Sequence, residues 1–163
     1  MSLTSNKNYL QPTGFKFVVD RQNYPNLEFF AQSVTHPGAS VNPTEVSLPR
    51  LSQMALAGDK ITYSSLTLEV IIDEDMTAYK ECQNWLERLV NTNQSNSSVG
   101  DSIPTSSDIT LSILNSHNNK TVHISYKDCV PTDIGAINLA SNTGDVQYTT
   151  FSVSFRFTTF EII

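Results

Sequence analysis

The sequence predicts a mainly β fold: two packed antiparallel sheets, sandwich- or barrel-like, with one flanking α-helix. Three observations predict it. Stretches that alternate apolar and polar residues recur along the chain, as in "GFKFVVD" (14–20) and "VQYTTFSVSFRFTTFEII" (146–163). Clusters of Asn, Pro, Gly and Ser separate them, as turns between antiparallel strands require. One segment, about 75–90, keeps helical spacing. With 163 residues the chain can bury one core, and residues 1–163 read as a single domain without repeats.

Taken in order, residues 14–20 put Phe15, Phe17 and Val19 on one face of a strand. "RQNYPN" reads as a turn and "LEFFAQSV" (27–34) as a returning strand, so 14–34 is expected to be a hairpin. "SVNPTEVSL" (40–48) is a weaker strand that Pro43 confines to an edge or bulge. "PRLSQMALAGDK" (49–60) has no period but holds Leu51, Met54 and Leu56. Two readings stay open for it: a loop tucked onto its own core, or an arm that buries these residues on a neighbouring subunit.

Residues 61–73 read as one very long strand, with Leu66, Leu68, Val70 and Ile72 on one face and Ser65, Thr67, Glu69, Ile71 and Asp73 on the other. No Lys or Arg follows Lys60 on that polar face. In "DMTAYKECQNWLERLV" (75–90), Tyr79, Cys82, Leu86 and Leu89 recur at helical spacing beside Trp85. Asp73 and Asp75 are placed to cap it, and Lys80, Glu81, Glu87 and Arg88 fall mostly on its outer side. Residues 91–107, rich in Asn and Ser, read as a long exposed polar loop. "DITLSILNS" and "KTVHISYKD" flank "HNN" as a hairpin. Residues 129–146 mix turns with a short apolar piece, and one terminal strand alternates Phe151, Val153, Phe155 and Phe157 against polar residues.

The chemistry-bearing residues form no constellation. The net charge is −6, and the 10 Lys and Arg are scattered, which argues against gripping duplex nucleic acid. Cys82 and Cys129 read as reduced, partly buried thiols. His36, His117 and His123 lack partners at metal-ligand spacing, and the acidic run 73–75 fits a helix cap better than a calcium loop. No nucleophile elbow or phosphate-cradling loop occurs. The expectation is no catalytic residue, no cofactor and no metal. The start, "MSLTSNKNYLQPTG", has no signal-peptide pattern, and no apolar run approaches the ~18 residues of a membrane span. A soluble chain, working in a cytoplasm, is expected.

Two segments carry a resemblance. "ALAGDKITYSSLTLEVIIDEDMTAYKECQNWLERL" (55–89) joins a small-residue loop ending in Ala-Gly-Asp to a strand, an acidic turn and a Trp-bearing helix. "DCVPTDIGAINLASNTGDVQYTTFSVSFRFTTFEI" (128–162) places a Pro-Thr-Asp-Ile-Gly turn before a terminal strand. In order and spacing they resemble the tail tube proteins of contractile-tailed, T4-like bacteriophages, and the likeness covers most of the chain. Loop 91–107 has no counterpart in it.

The resemblance implies a structural virion protein without enzymatic activity. Such proteins form hexameric rings that stack into a hollow tube, with one sheet of each subunit joining its neighbours in a barrel around the lumen. A sheath surrounds the tube, a baseplate ends it, and DNA passes through without specific binding. The implied location is the phage tail, assembled in the bacterial host cytoplasm. The arm at 43–60 resembles the family's inter-ring loop, which makes Leu51, Met54, Leu56, Gly58 and Asp59 the inter-ring candidates. Ser65, Thr67, Glu69 and Asp73 are the lumen-facing candidates. A lumen poor in cations suits a DNA conduit, because it repels phosphates. Rival readings are a tube initiator, a terminator or another baseplate or neck component with the same fold, and, in another class, a stand-alone β-sandwich binding module.

Overall fold

The computed structural model describes residues 9–47, 54–93, 104–141 and 148–163. Loop 91–107 therefore lies mostly outside the described residues, as does Leu51. The described chain is mainly β, with antiparallel strands and two helices.

In chain order the elements are β1 (Phe15–Val18), α1 (Pro25–Phe29), β2 (Ala31–Thr35), β3 (Ala39–Val41), β4 (Thr44–Val46), β5 (Met54–Leu56) and β6 (Ile61–Tyr63). They continue with β7 (Leu66–Ile71), α2 (Thr77–Asn93), β8 (Ser107–Leu114), β9 (Lys120–Ile134), β10 (Thr150–Arg156) and β11 (Thr159–Ile162). Seven strands hydrogen-bond in the path β1-β8-β9-β10-β7-β2, with β11 added beside β9. β3–β6 and β4–β5 form two separate two-stranded ladders.

β9 belongs to two sheets. Its first part pairs with β8 on one edge and β11 on the other. Its last part pairs with β10, which carries β7 and then β2. The strand turns this corner at Asp128, which has φ of 54° and falls within the register shift of the β8–β9 ladder, between Tyr126 and Cys129. A left-handed residue inside a strand is a bulge that bends it, and Asp tolerates that conformation. The Asp128 N–H, out of the ladder, donates to the Asp108 carboxylate at 3.2 Å, which also accepts from Lys127 Nζ at 2.7 Å.

The core lies between the two sheets and under α2. Leu66, Leu68 and Val70 of β7, Phe151, Val153 and Phe155 of β10, and Ile109, Ile124 and Tyr126 of the first sheet are buried. α2 presents Ala78, Cys82 and Trp85, all buried, while Tyr79 and Leu89 pack at the margin. The Trp85 ring stacks on Tyr24 at 4.2 Å and meets Phe155 at 5.7 Å, and its indole N–H donates to the Thr105 carbonyl at 2.7 Å. Burial pushes the Cys82 and Cys129 thiols up to about 12, so both stay protonated and unreactive.

Several expectations need correction. Residues 14–34 are not a hairpin: β1 pairs with β8, and β2 with β7. Pro25 stands at the first turn of α1, where its fixed φ favours a helix and its missing N–H costs nothing. Residues 61–73 are two strands broken at Ser64–Ser65, where the Ser64 N–H keeps the register of β3 and β6 and donates to the Gly38 carbonyl at 2.9 Å. The terminal strand is likewise two, β10 and β11, broken at Phe157–Thr158. The overlong strand of this fold is β9, which runs through residues read as turn and short apolar piece.

Two charges placed outside α2 face inward. Glu81 accepts from the Asn26 side-chain amide at 2.6 Å and the Leu27 N–H at 3.2 Å, holding α1 against α2. Arg88 donates to the Tyr24 hydroxyl and lies over its ring at 5.6 Å. Asp73 caps α2 as expected, accepting from the Thr77 N–H at 2.9 Å and hydroxyl at 2.5 Å. The hairpin around 115–119 also forms, with Asn118 at φ 58° and the Asn115 Oδ1 accepting from the His117 and Asn119 N–H groups.

The contact between the helices can be tested directly. Glu81→Ala leaves two part-buried donors unpaired and is expected to destabilise the fold by about 1–3 kcal/mol. The urea unfolding midpoint, followed by Trp85 fluorescence, reads the loss.

Candidate assembly surfaces

The segment between β2 and β7 leaves the body as a long ribbon. β3 pairs with β6, matching Ala39 to Tyr63 and Val41 to Ile61. Beyond a break around Pro43, β4 pairs with β5, matching Thr44 to Leu56 and Val46 to Met54. The two ladders follow one another along a single hairpin arm. Pro43 has no N–H to donate, so the break falls where the sequence cannot continue a ladder.

Alternation gives each half of the arm an apolar face. Val41 and Ile61 share a face with Tyr63, and Val46, Met54 and Leu56 share one in the outer half. A two-stranded ribbon has nothing to bury such a face against. Val41, Val46, Met54, Leu56 and Ile61 are accordingly 39–59% exposed. The sequence reading placed the arm at 43–60 and missed Val41 and Ile61. A phase change of the alternation was available as a signal: Ile61 and Tyr63 are odd-numbered, whereas Leu66, Leu68 and Val70 are even.

Gly58 lies where the arm's two legs approach closely. A Cβ there would collide with the Asn42 carbonyl and sit 3.1 Å from a Val41 methyl carbon. Its requirement is close backbone approach. Asp59 is exposed beside it.

The second surface is the face of the β9-β10-β7-β2 sheet turned away from the core. Register places Ser33, Glu69 and Ser152 in one cross-strand row and Thr35, Thr67, Ser154 and Asp133 in the next. These are short hydroxyls with two carboxylates. Among the described residues of β2, β7, β10 and the part of β9 that pairs with β10, the only cation is Arg156, at the end of β10 and on the same face as Ser152 and Ser154. The opposite sheet differs: its outward positions include Lys16, His123 and Lys127, and the buried Ser112 hydroxyl meets His123 Nδ1 at 2.9 Å. Of the cations on these strands, Lys16, Lys120 and Lys127 belong to the first sheet and Arg156 to the second.

Thr67 and Glu69 thus lie on the outward face of β7 as read from the alternation. Ser65 sits at the break before β7, half-exposed. Asp73 lies past the end of β7, its carboxyl held below the ordinary carboxylate range chiefly by the Thr77 hydroxyl. Among the described residues, no group of His, Cys, Asp and Glu is arranged to hold a metal, and no helix is long and apolar enough to cross a membrane.

The sequence pattern that defines the phage tail tube protein family matches residues 2–163. The chain belongs to that family. It is a tail-tube-like protein, and the family is a structural one. No curated protein sequence matches it. Among solved structures, a chain of the anti-feeding prophage tube-terminating cap superposes on this tail tube protein with a TM-score of 0.69 at 12% identity, covering 99% of this chain and 95% of that one. A chain of the sheath–tube complex of an extracellular contractile injection system, PVC, in the extended state gives 0.64 at 14% identity, covering 99% of both. A chain of the anti-feeding prophage baseplate gives 0.65 at 13%, covering 100% and 97%. At these identities the likeness is one of fold.

Gly58→Ala should disrupt the arm and spare the body. Amide exchange in β3 and β6 is expected to speed up markedly, while the thermal midpoint of the body moves little; equal loss in both would assign Gly58 to the body.

Proposed function

We propose that this tail tube protein is the repeating subunit of the inner tube of a contractile phage tail. In this reading it forms hexameric rings that stack into a hollow conduit, inside a sheath and above a baseplate, and DNA leaves through the lumen. The observation that carries the proposal is the arm. A domain that works alone gains nothing from holding out a ribbon with an exposed aliphatic face on each of its halves, and a neighbouring copy can cover them. Covering the exposed halves of the five aliphatic side chains is worth roughly 1 kcal/mol each, so about 5 kcal/mol per arm before entropy costs. Repeated around a ring, that is enough to make stacking cooperative.

The inter-ring contact is assigned to Met54, Leu56, Gly58 and Asp59, with Val41, Val46 and Ile61 extending it. Leu51 remains a candidate outside the described residues. The lumen is assigned to the outward face of the β9-β10-β7-β2 sheet, with Thr67 and Glu69 at its centre and Ser65 and Asp73 at the two ends of β7. β2 ends the sheet path, and closing a ring of subunits would satisfy its open edge. Apart from Arg156 at the end of β10, the hydroxyls and carboxylates on that face would offer phosphates nothing to hold.

Two experiments test these assignments. Leu56→Asp should leave a folded, monodisperse chain that makes no tubes in negative-stain micrographs; intact tubes from this variant would overturn the arm reading, and wild-type protein that stops at a single ring would favour an initiator or terminator. For the lumen, Thr67→Cys offers a selective thiol, because Cys82 and Cys129 are buried. A gold cluster attached there before assembly should appear inside the tube in cross-section, and label on the outer wall would reverse the choice of face.

A further inference from the structure

The arm joins the body at one cluster of rings. His36 is the side chain just before the arm, and Tyr63 is the last residue of its returning strand. Both reach Phe160, and each touches one further ring, Tyr126 for His36 and Phe157 for Tyr63. Tyr63 lies 5.6 Å from Phe157 and 5.2 Å from Phe160, centroid to centroid. His36 meets Phe160 edge-on at 5.1 Å, and its Nδ1 is 2.6 Å from the Tyr126 hydroxyl. Phe157 and Phe160 in turn pack on Tyr126 at 5.3 and 5.9 Å. Below the rings, the Ser64 N–H donates to the Gly38 carbonyl and closes the root of the arm.

Tyr126 is buried in the core, whereas the other rings sit at its margin. Phe160 touches both legs of the arm as well as Tyr126. It is carried by β11, which pairs only with β9. Among the described residues, the strands of the arm form ladders separate from the seven-stranded sheet. The arm continues β2 and β7 in their register, with the one backbone bond from Ser64 to Gly38 at its root; side-chain packing adds to that link, and edge-to-face aromatic pairs are directional contacts.

We propose that this ring cluster is a clamp that fixes the direction in which the arm leaves the body, with Phe160 as the residue that ties the two legs together. Phe160 is a positioning residue: it acts on assembly through the arm. The significance for assembly rests on the reading that the arm makes the contact between rings. An arm that swings freely must be ordered when it docks, which costs conformational entropy; an arm held in its docking direction has been ordered already. β11 then serves the assembly more than the core, since only Phe160 among its residues packs on the core cluster.

The test measures the arm and the assembly separately. Spin labels at Glu45→Cys on the arm and Gln83→Cys on the exposed side of α2 report their separation in unassembled protein. The parent should give a narrow distance distribution. Phe160→Ala should broaden it about twofold while α2 and the core keep their helical and Trp signals, as for a locally released element. Phe160→Tyr, which restores the ring, should narrow it again. Tyr63→Ala gives an independent release from the arm side, should Phe160→Ala fail to fold. An unchanged narrow distribution in a folded Phe160→Ala or Tyr63→Ala chain overturns the clamp. The arm's role in stacking is judged separately by the Leu56→Asp chain. Loss of tubes in Phe160→Ala with a broadened arm supports both ideas; a broadened arm with undiminished tubes supports the clamp and removes its link to assembly.

Discussion

Everything in the body depends on one strand bending without breaking. β9 must serve two sheets, and a straight strand cannot. The left-handed turn at Asp128 bends it, and the Asp108 carboxylate satisfies the N–H that the bend takes out of the ladder. On one edge of β9 lies β8; along the other run β10 and β11, which break opposite the bend at Phe157–Thr158. The corner folds the sheet over on itself. Tyr126 and Cys129, on either side of it, are buried. The helix α2, the Trp85–Tyr24 stack and the Glu81 clasp on α1 then close the core.

How much of this was legible follows from what each residue answers to. β1, β7, β8 and α2 are readable because their apolar residues face one core with one period. The breaks at 64–65 and 157–158 hide in the residue types, since serine, threonine and phenylalanine all suit a strand. They show only in phase: apolar positions switch from odd to even at Ser64–Ser65, and again between Phe157 and Phe160. α1 was misread because "LEFF" is composed like a strand, and only the Pro25 before it and the distant Glu81 make it helical. Of the candidate sites, Met54 and Leu56 were visible as apolar residues without a period. The inward turn of Glu81 and Arg88 was not visible, since their partners are 54 and 64 positions away.

The surface divides by chemistry as the fold divides by element. One outward sheet face carries hydroxyls and carboxylates with Arg156 at its end, the other carries lysines, and the arm is aliphatic on one face of each half. A net charge of −6 describes none of these regions. The β pleat does the sorting: each alternate residue along a strand is sent to the same face, so short sequence intervals acquire one chemical character over a broad surface.

The place of β10 in the sheet has a consequence for the order in which the molecule can form. β10 lies between β9 and β7, so the middle strand of the second sheet comes from residues 150–156. β7 and β2 can pair earlier, but they have no route to β9 until that late strand arrives. Pairings so distant in sequence are slow to find, because the intervening chain must first lose its freedom. During that interval the inner faces of both sheets are open, and the arm is already present in the sequence. The second sheet is therefore completed only after the C-terminal part of the chain has found partners far back in the sequence, so the arm exists as chain before the body that carries it is closed.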